Sequence, residues 1–189
     1  MATGTSKVRR AFWGMVGASA ALLIVGHSNA WAQRKATKFE ITSASFKHES
    51  TIPRQHTCDG ANLSPALTWT EPPAGTRTYV LIMDDPDAPM GTFVHWVVYN
   101  LPATARQLPE GVRGGETLPS GTLQGVNDFP QALYGGPCPP PGKPHRYYFK
   151  LYALDTELNL PAGARKRDVE QAMKGHVLAE AQLMGRYGR

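Results

Sequence analysis

The sequence lacks the motifs by which metal sites and hydrolytic active sites are usually recognised. It has no HxxxH, HxH or CxxC spacing, so its six histidines and two cysteines form no zinc-ligand pattern. It also has no GxSxG motif, the nucleophile elbow of many serine hydrolases. The basic cluster at residues 165–167 reads as a solvated helix start rather than a nucleic-acid surface. We therefore expect no metal, no cofactor and no nucleic-acid partner.

Long apolar runs are missing except near the N-terminus. A basic stretch comes first: Lys7, Arg9 and Arg10. The apolar residues 11–25 follow, and Ala30-Trp31-Ala32 is a small-x-small cleavage site. This order is typical of a secretory signal peptide at residues 1–32, because the apolar run is short for a membrane span. An uncleaved N-terminal anchor is the alternative. Either way we predict a periplasmic or secreted single domain at residues 33–189, without a transmembrane segment of its own.

Cysteine is scarce, and both cysteines lie in loop-like Gly/Pro surroundings at Cys58 and Cys138. An exported protein meets an oxidising environment, and two cysteines allow only one pairing. We therefore predict a Cys58–Cys138 disulfide, with two unpaired thiols as the alternative. Because Cys138 is near His145 in the sequence, a cysteine nucleophile is a further, less favoured hypothesis.

Helical spacing is also scarce, and most of the chain shows strand patterns. Runs rich in β-branched and aromatic residues predict strands at residues 38–46, 66–70, 78–83, 93–101 and 145–154. Gly and Pro punctuate residues 101–134, which predicts loop with short extended pieces. Apolar residues recur at helical spacing only in residues 168–184, with an interruption at Gly175. This pattern predicts an all-β dominated fold, an antiparallel β-sandwich with short peripheral and C-terminal helices.

The strand predicted at residues 93–101 carries a histidine between two apolar faces. Strict alternation places Phe93, His95, Val97 and Tyr99 on one face and Val94, Trp96 and Val98 on the other. Because both faces are apolar, we expect this strand to be central in its sheet.

Two of the predicted strands carry a histidine next to a rigid loop. The segment DPDAP, which begins at Asp85, precedes His95, and its prolines hold the loop extended. The Gly/Pro-rich residues 135–144 precede His145 and Tyr147. If the two strands are neighbours, imidazoles, a phenol, carboxylates and backbone N–H groups converge on a cavity that suits a phosphate or carboxylate. Taken singly, each group also fits a structural role, such as an aspartate that forms a turn.

Two long stretches resemble the signature regions of the phosphatidylethanolamine-binding protein family, also called Raf kinase inhibitor-like proteins. They are DDPDAPMGTFVHWVVYNLP and YGGPCPPPGKPHRYYFKLYALD, and CDGANLSPALTW and MKGHVLAEAQLMGRY resemble the bacterial branch. The resemblance covers about residues 38–187. It implies two antiparallel sheets with a small anion-binding pocket at one end. Carried over to this sequence, the pocket would comprise Asp85, Asp87, Pro89, His95, Gly136, Pro139, His145 and Tyr147.

The residues and the resemblance together indicate an exported, non-catalytic protein that binds a phosphate-type anion or a phosphorylated head group. A second hypothesis is a protease inhibitor or another protein-interaction module that acts through a loop near residues 114–130. It follows from the resemblance, which implies lipid-binding, kinase-regulating or protease-inhibiting roles. A third hypothesis makes His95 and His145 an acid/base pair in ester or phosphoester hydrolysis.

Overall fold

The structure, a computed structural model of the 189-residue chain, describes residues 1–4, 38–112 and 118–189. The chain divides into two units, Met1–Arg34 and Lys35–Arg189, and all of the described strands and helices belong to the second. The predicted signal peptide lies outside the described residues, apart from its first four, and stays a prediction. No described helix is both long enough and apolar enough to span a membrane.

The described residues form two β-sheets. The smaller sheet contains β1 (Ile41–Ser43), β2 (Leu67–Trp69) and β5 (Gln107–Leu108), in the order β1-β2-β5. The larger contains β3 (Thr78–Asp85), β4 (Phe93–Pro102), β6 (Leu123–Val126), β7 (His145–Leu154), β8 (Gly163–Arg165) and β9 (Val177–Tyr187). Its order is β8-β6-β4-β3-β7-β9, and every pairing except β6–β8 is antiparallel. The predicted antiparallel two-sheet architecture is confirmed.

The larger sheet is buried on both faces at its central strands β3 and β4. One face packs against the smaller sheet in a layer that includes Trp96 and Phe149. The other packs Val97 and Tyr99 against Val169 of the helix α1 (Lys166–Met173). Because β4 lies between β6 and β3 and is buried on both faces, its predicted central position is confirmed.

The helix predicted at residues 168–184 is correct only in its first part. Helix α1 ends at Met173, Gly175 takes a positive φ of 82°, and β9 follows. In β9, buried Ala181 and Leu183 alternate with exposed Glu180 and Gln182, which is the period of a strand. The helical prediction fails there because apolar spacing over these few residues fits both periods. Antiparallel pairing along the whole of β7 then decides the conformation.

Candidate functional site

A β-bulge directs His95 into the layer between the sheets. The register of β4 against β3 skips His95, because successive residues of β3 pair with Trp96 and Val94. An inserted residue bends its strand and redirects its side chain. The His95 ring consequently packs edge-on against Tyr147 of β7, with centroids 5.2 Å apart, while Val97 belongs to the opposite layer. The predicted alternation, which placed His95 on the face of Val97, is therefore wrong.

The second histidine, His145, is held by a buried carboxylate. Antiparallel pairing places the start of β7 beside the end of β3. His145 Nδ1–H donates to Asp85 Oδ2 over 2.8 Å, and the two side chains are 12% and 4% exposed. Asp85 Oδ1 accepts the Asp87 N–H over 2.8 Å, so both carboxylate oxygens are engaged. This contact fixes the orientation of the His145 ring and leaves its Nε2 for a ligand.

The first histidine, His95, is bonded through the same ring nitrogen. Its Nδ1 lies 2.7 Å from the Gly135 carbonyl oxygen. Because a carbonyl only accepts, Nδ1 carries a proton and Nε2 is left open. Burial lowers the pKa of His95 below its ordinary value of 6.5, although the Gly135 carbonyl and the Asp85 carboxylate act in the opposite direction. His95 is therefore neutral near pH 7.

Tyr147 brings a buried hydroxyl to the same place. The side chain is fully buried, and its oxygen has no hydrogen-bond partner among the described residues. Burial raises the pKa of Tyr147, and the Asp85 carboxylate is close enough to raise it further without meeting hydrogen-bond geometry. The phenol therefore keeps its proton. A buried donor without an acceptor is unfavourable and uncommon in folded proteins.

These groups line a cavity of about 210 Å³. Six of the eight predicted site residues contribute to its wall: Asp85, Pro89, His95, Pro139, His145 and Tyr147. Pockets for drug-sized ligands usually have volumes of roughly 300–1,000 Å³, so this cavity fits a smaller group such as a phosphate.

Two of the predicted site residues, Asp87 and Gly136, do not line the cavity. Arg146 clamps the Asp87 carboxylate through Nε at 2.8 Å and Nη2 at 2.6 Å, and this lowers the pKa of Asp87 to about 2. The Gly136 N–H donates to Asn62 Oδ1 over 2.8 Å, and a Cβ at Gly136 would lie 2.4 Å from the His56 carbonyl oxygen. Both residues fix the loops that carry the wall.

One aromatic residue of the wall, Phe129, was not predicted from the sequence. The Phe129 ring lies 4.8 Å from that of Phe93 and 5.5 Å from that of His95, measured between centroids. Asn127 Oδ1 accepts the backbone N–H groups of Phe129 and Gln131 over 2.9 and 3.0 Å, which shapes this loop. The sequence signal that could have identified Phe129 is its position between Asp and Pro in a polar loop, where a large apolar side chain is not part of a strand.

The predicted disulfide between Cys58 and Cys138 is present, with the two Cα atoms 5.4 Å apart. Cys138 lies in the cavity wall, and the Cys58 N–H donates to the Pro137 carbonyl over 3.1 Å. A sulfur in a disulfide is not a thiolate, so the hypothesis of a cysteine nucleophile does not apply to this form. In the part of the chain that the structure describes, no three His, Cys, Asp or Glu residues are placed to hold a metal ion.

Comparison with known proteins identifies similar chains. The family model described as phosphatidylethanolamine-binding protein matches residues 42–188. A UPF0098 protein of Aquifex aeolicus is 51% identical over 152 residues, which cover 79% of this chain and 88% of that protein. The crystal structure of Escherichia coli YbcL has a TM-score of 0.76 at 37% identity, over 80% of this chain and 99% of that one. The crystal structure of Chlamydia trachomatis CT736 has a TM-score of 0.74 at 37% identity, over 80% of this chain and 98% of that one.

Proposed function

The chain belongs to the phosphatidylethanolamine-binding protein family, and on this premise we propose that its cavity binds a phosphate-type anion or a phosphorylated head group. The observation that carries the proposal is the Tyr147 hydroxyl, a donor that is buried at the cavity without an acceptor among the described residues. A bound anionic oxygen would supply that acceptor. Hydrogen bonds to a charged partner are about twice as strong as neutral ones, so the hydroxyl favours an anion.

The two histidines would complete the anion site. Each has Nδ1 bonded to the protein, through Asp85 for His145 and through Gly135 for His95. When protonated, each ring therefore presents a single Nε2–H to the cavity. Two imidazolium donors and one phenol suit a tetrahedral anion that offers several oxygens.

We also propose that the protein binds this anion without transforming it. The His145–Asp85 pair has the geometry of a base and the group that orients it. Nucleophilic catalysis of the serine- or cysteine-hydrolase type would need a Ser, Thr or Cys beside that base. The described wall offers Cys138 in a disulfide, and its other residues are carboxylate, imidazole, phenol or apolar groups. A serine- or cysteine-type hydrolase therefore has less support than binding, while acid/base hydrolysis by His95 and His145 stays a hypothesis.

The remaining proposals concern location and protein partners. An exported, periplasmic or secreted protein is supported by the disulfide, since such bonds persist mainly in oxidising compartments. The inhibitor hypothesis concerns a loop near residues 114–130. Residues 113–117 lie outside the described range, so this hypothesis stays a prediction.

Replacing His145 by alanine should weaken anion binding. We expect wild-type protein to bind both phosphate and phosphoethanolamine in isothermal titration, and His145→Ala to bind each at least roughly tenfold more weakly. Comparing the two ligands separates free phosphate from a phosphorylated head group as the preferred source. His176→Ala is the matched control, because His176 is an exposed histidine that pairs with Asp155. Absence of binding in the wild type, or equal affinity in His145→Ala, would refute the proposal.

Anion binding should also take up a proton at His95. Burial lowers the pKa of His95 in the free protein below 6.5, and a nearby anion would raise it. Affinity should therefore increase as pH falls from the higher pKa of the bound state towards the lower pKa of the free protein. Sulfate is the suitable probe, because its own charge is constant over about pH 5–8. We expect roughly tenfold per pKa unit of difference between the free and bound states.

The control for this proton uptake is His95→Asn, which keeps an amide near the Gly135 carbonyl but does not titrate. Sulfate titrations across the same pH range should show a shallower slope for the variant. An identical slope in both proteins would show that His95 takes no part.

A further inference from the structure

The cavity adjoins a larger and strongly charged depression. This second space has a volume of about 690 Å³ and shares His145 and Pro140 with the cavity. We call it the arginine groove, and its charged residues are Asp87, Lys143, Arg146 and Arg186. Three of these are cations and one is an anion, so the groove is electropositive even when His145 is neutral.

Two arginines of the groove lie directly opposite each other on neighbouring strands. Arg146 of β7 is the register partner of Arg186 of β9. Side chains in such positions have Cβ atoms about 4.5–5.5 Å apart, and like charges there destabilise a sheet. Asp87 neutralises Arg146, but among the ion pairs between described residues none includes Arg186 or Lys143. Arg186 and Lys143 are therefore two cations of the groove that no ion pair among the described residues neutralises.

The other basic cluster of the molecule is different. At the start of α1, Lys166 binds Asp84 at 2.6 Å and Glu170 at 3.6 Å, and Arg167 lies 3.6 Å from Asp168. Lys166 and Arg167 are therefore paired within the protein, whereas Arg165 has no ion pair among the described residues. The arginine groove holds two such cations, Arg186 and Lys143, and so has the greater capacity for an external anion.

The groove is also held in place before any ligand arrives. The Arg146 guanidinium is fixed by two bonds to Asp87 and lies over the Tyr148 ring, 5.9 Å from its centroid. The Arg186 backbone is bonded to Ser50 and Ile52 over 2.9 and 2.8 Å. The prolines of the adjoining loop stiffen the remaining wall. Groups that are already ordered lose little entropy when they bind a ligand.

We propose that the arginine groove is a second anion subsite and that the ligand carries two linked phosphate-type groups, one in the cavity and one in the groove. This inference rests on the proposed function of the cavity. Because the single side chain of His145 borders both spaces, the two groups are close together, as in a diphosphate. Arg186 and Lys143 bind the second group, and its charge offsets the repulsion between Arg146 and Arg186.

The test compares pyrophosphate with orthophosphate by isothermal titration at one fixed ionic strength. For the wild type we expect pyrophosphate to bind at least about tenfold more tightly than orthophosphate. In the double variant Lys143→Gln/Arg186→Gln this ratio of affinities should fall at least about fivefold. Pyrophosphate carries more negative charge than orthophosphate, so a basic protein attracts it more strongly at any site. The control Arg165→Gln/Arg167→Gln therefore removes the same charge at the start of α1 and should keep the ratio.

The outcomes separate this inference from the proposed function. Equal affinities in the wild type, or an equal fall of the ratio in both double variants, would overturn the second subsite. Orthophosphate binding that depends on His145 would still stand in that case. Pyrophosphate binding that is indifferent to His145→Ala would instead show the groove acting alone and would overturn the linked site. Should the double variant unfold, Arg186→Gln alone gives the same comparison, since that side chain is exposed and its backbone makes the contacts.

Discussion

Replacing Cys58 and Cys138 together by serine is expected to lower the free energy of unfolding by about 4 kcal/mol. The disulfide joins residues 80 positions apart, and the chain-entropy account assigns this size of effect to a loop of that length. Both cysteines are exposed, so the loss of packing contributes little. Denaturant unfolding of the oxidised wild type and the double variant measures the difference. The variant should also bind phosphate more weakly, because Cys138 is part of the cavity wall.

Wild-type protein unfolded in the presence of a reducing agent is the control for this prediction. If the bond itself is responsible, reduced wild type and the serine variant should have the same stability. A difference below about 1 kcal/mol between oxidised wild type and variant would contradict the chain-entropy account. Other contacts of the loop would then be sufficient to hold it. These contacts include the bonds from Gly136 N–H to Asn62 and from the Tyr134 hydroxyl to the His56 carbonyl, which are 2.8 and 2.7 Å long.

Strands β3, β4 and β7 could be predicted from the sequence because local composition decides them. Each is rich in β-branched and aromatic residues, and each is buried on at least one face. The strand conformation of β9 depends on its pairing with β7, which its own composition does not reveal. Its sequence fits either period, and it becomes a strand because the edge of β7 pairs with it from His145 to Leu154. The apolar spacing is sufficient to predict a helix ending at Met173. The conformation after Gly175 is decided by tertiary pairing, which that spacing does not contain.

The bulge at His95 shows the same limit at the site itself. A prediction from strict alternation assumes that no extra residue is inserted in the strand. The inserted residue can be recognised only from the way β4 pairs with β3. The sequence therefore singled out His95 and His145 as candidate site residues, but it placed His95 on the wrong face. The contacts of the loop residues could not be predicted for the same reason. Nothing local shows that Asp87 turns to Arg146, 59 residues away, or that Gly136 turns to Asn62, 74 residues away.

Replacing Tyr147 by phenylalanine should strengthen the fold and weaken the site. The variant removes a buried hydroxyl that has no hydrogen-bond partner among the described residues, so the free energy of unfolding of the free protein should rise by about 1 kcal/mol. If the cavity binds an anion, the same change removes a donor to it and should weaken phosphate binding by about 2 kcal/mol, or roughly thirtyfold. Denaturant unfolding without ligand and titration with phosphate measure the two effects.

Tyr134→Phe is the matched control, because it removes the hydroxyl of another buried tyrosine that lies outside the cavity wall. The Tyr134 hydroxyl donates to the His56 carbonyl over 2.7 Å, so its loss leaves a buried acceptor without a partner. We expect this variant to be destabilised by roughly 1–2 kcal/mol while its affinity for phosphate is kept. Opposite effects of the two substitutions would mean that the fold keeps the Tyr147 hydroxyl at some loss of stability because a ligand uses it. If Tyr147→Phe instead lowered stability and left affinity unchanged, the hydroxyl would be structural and the anion site would lose its main support.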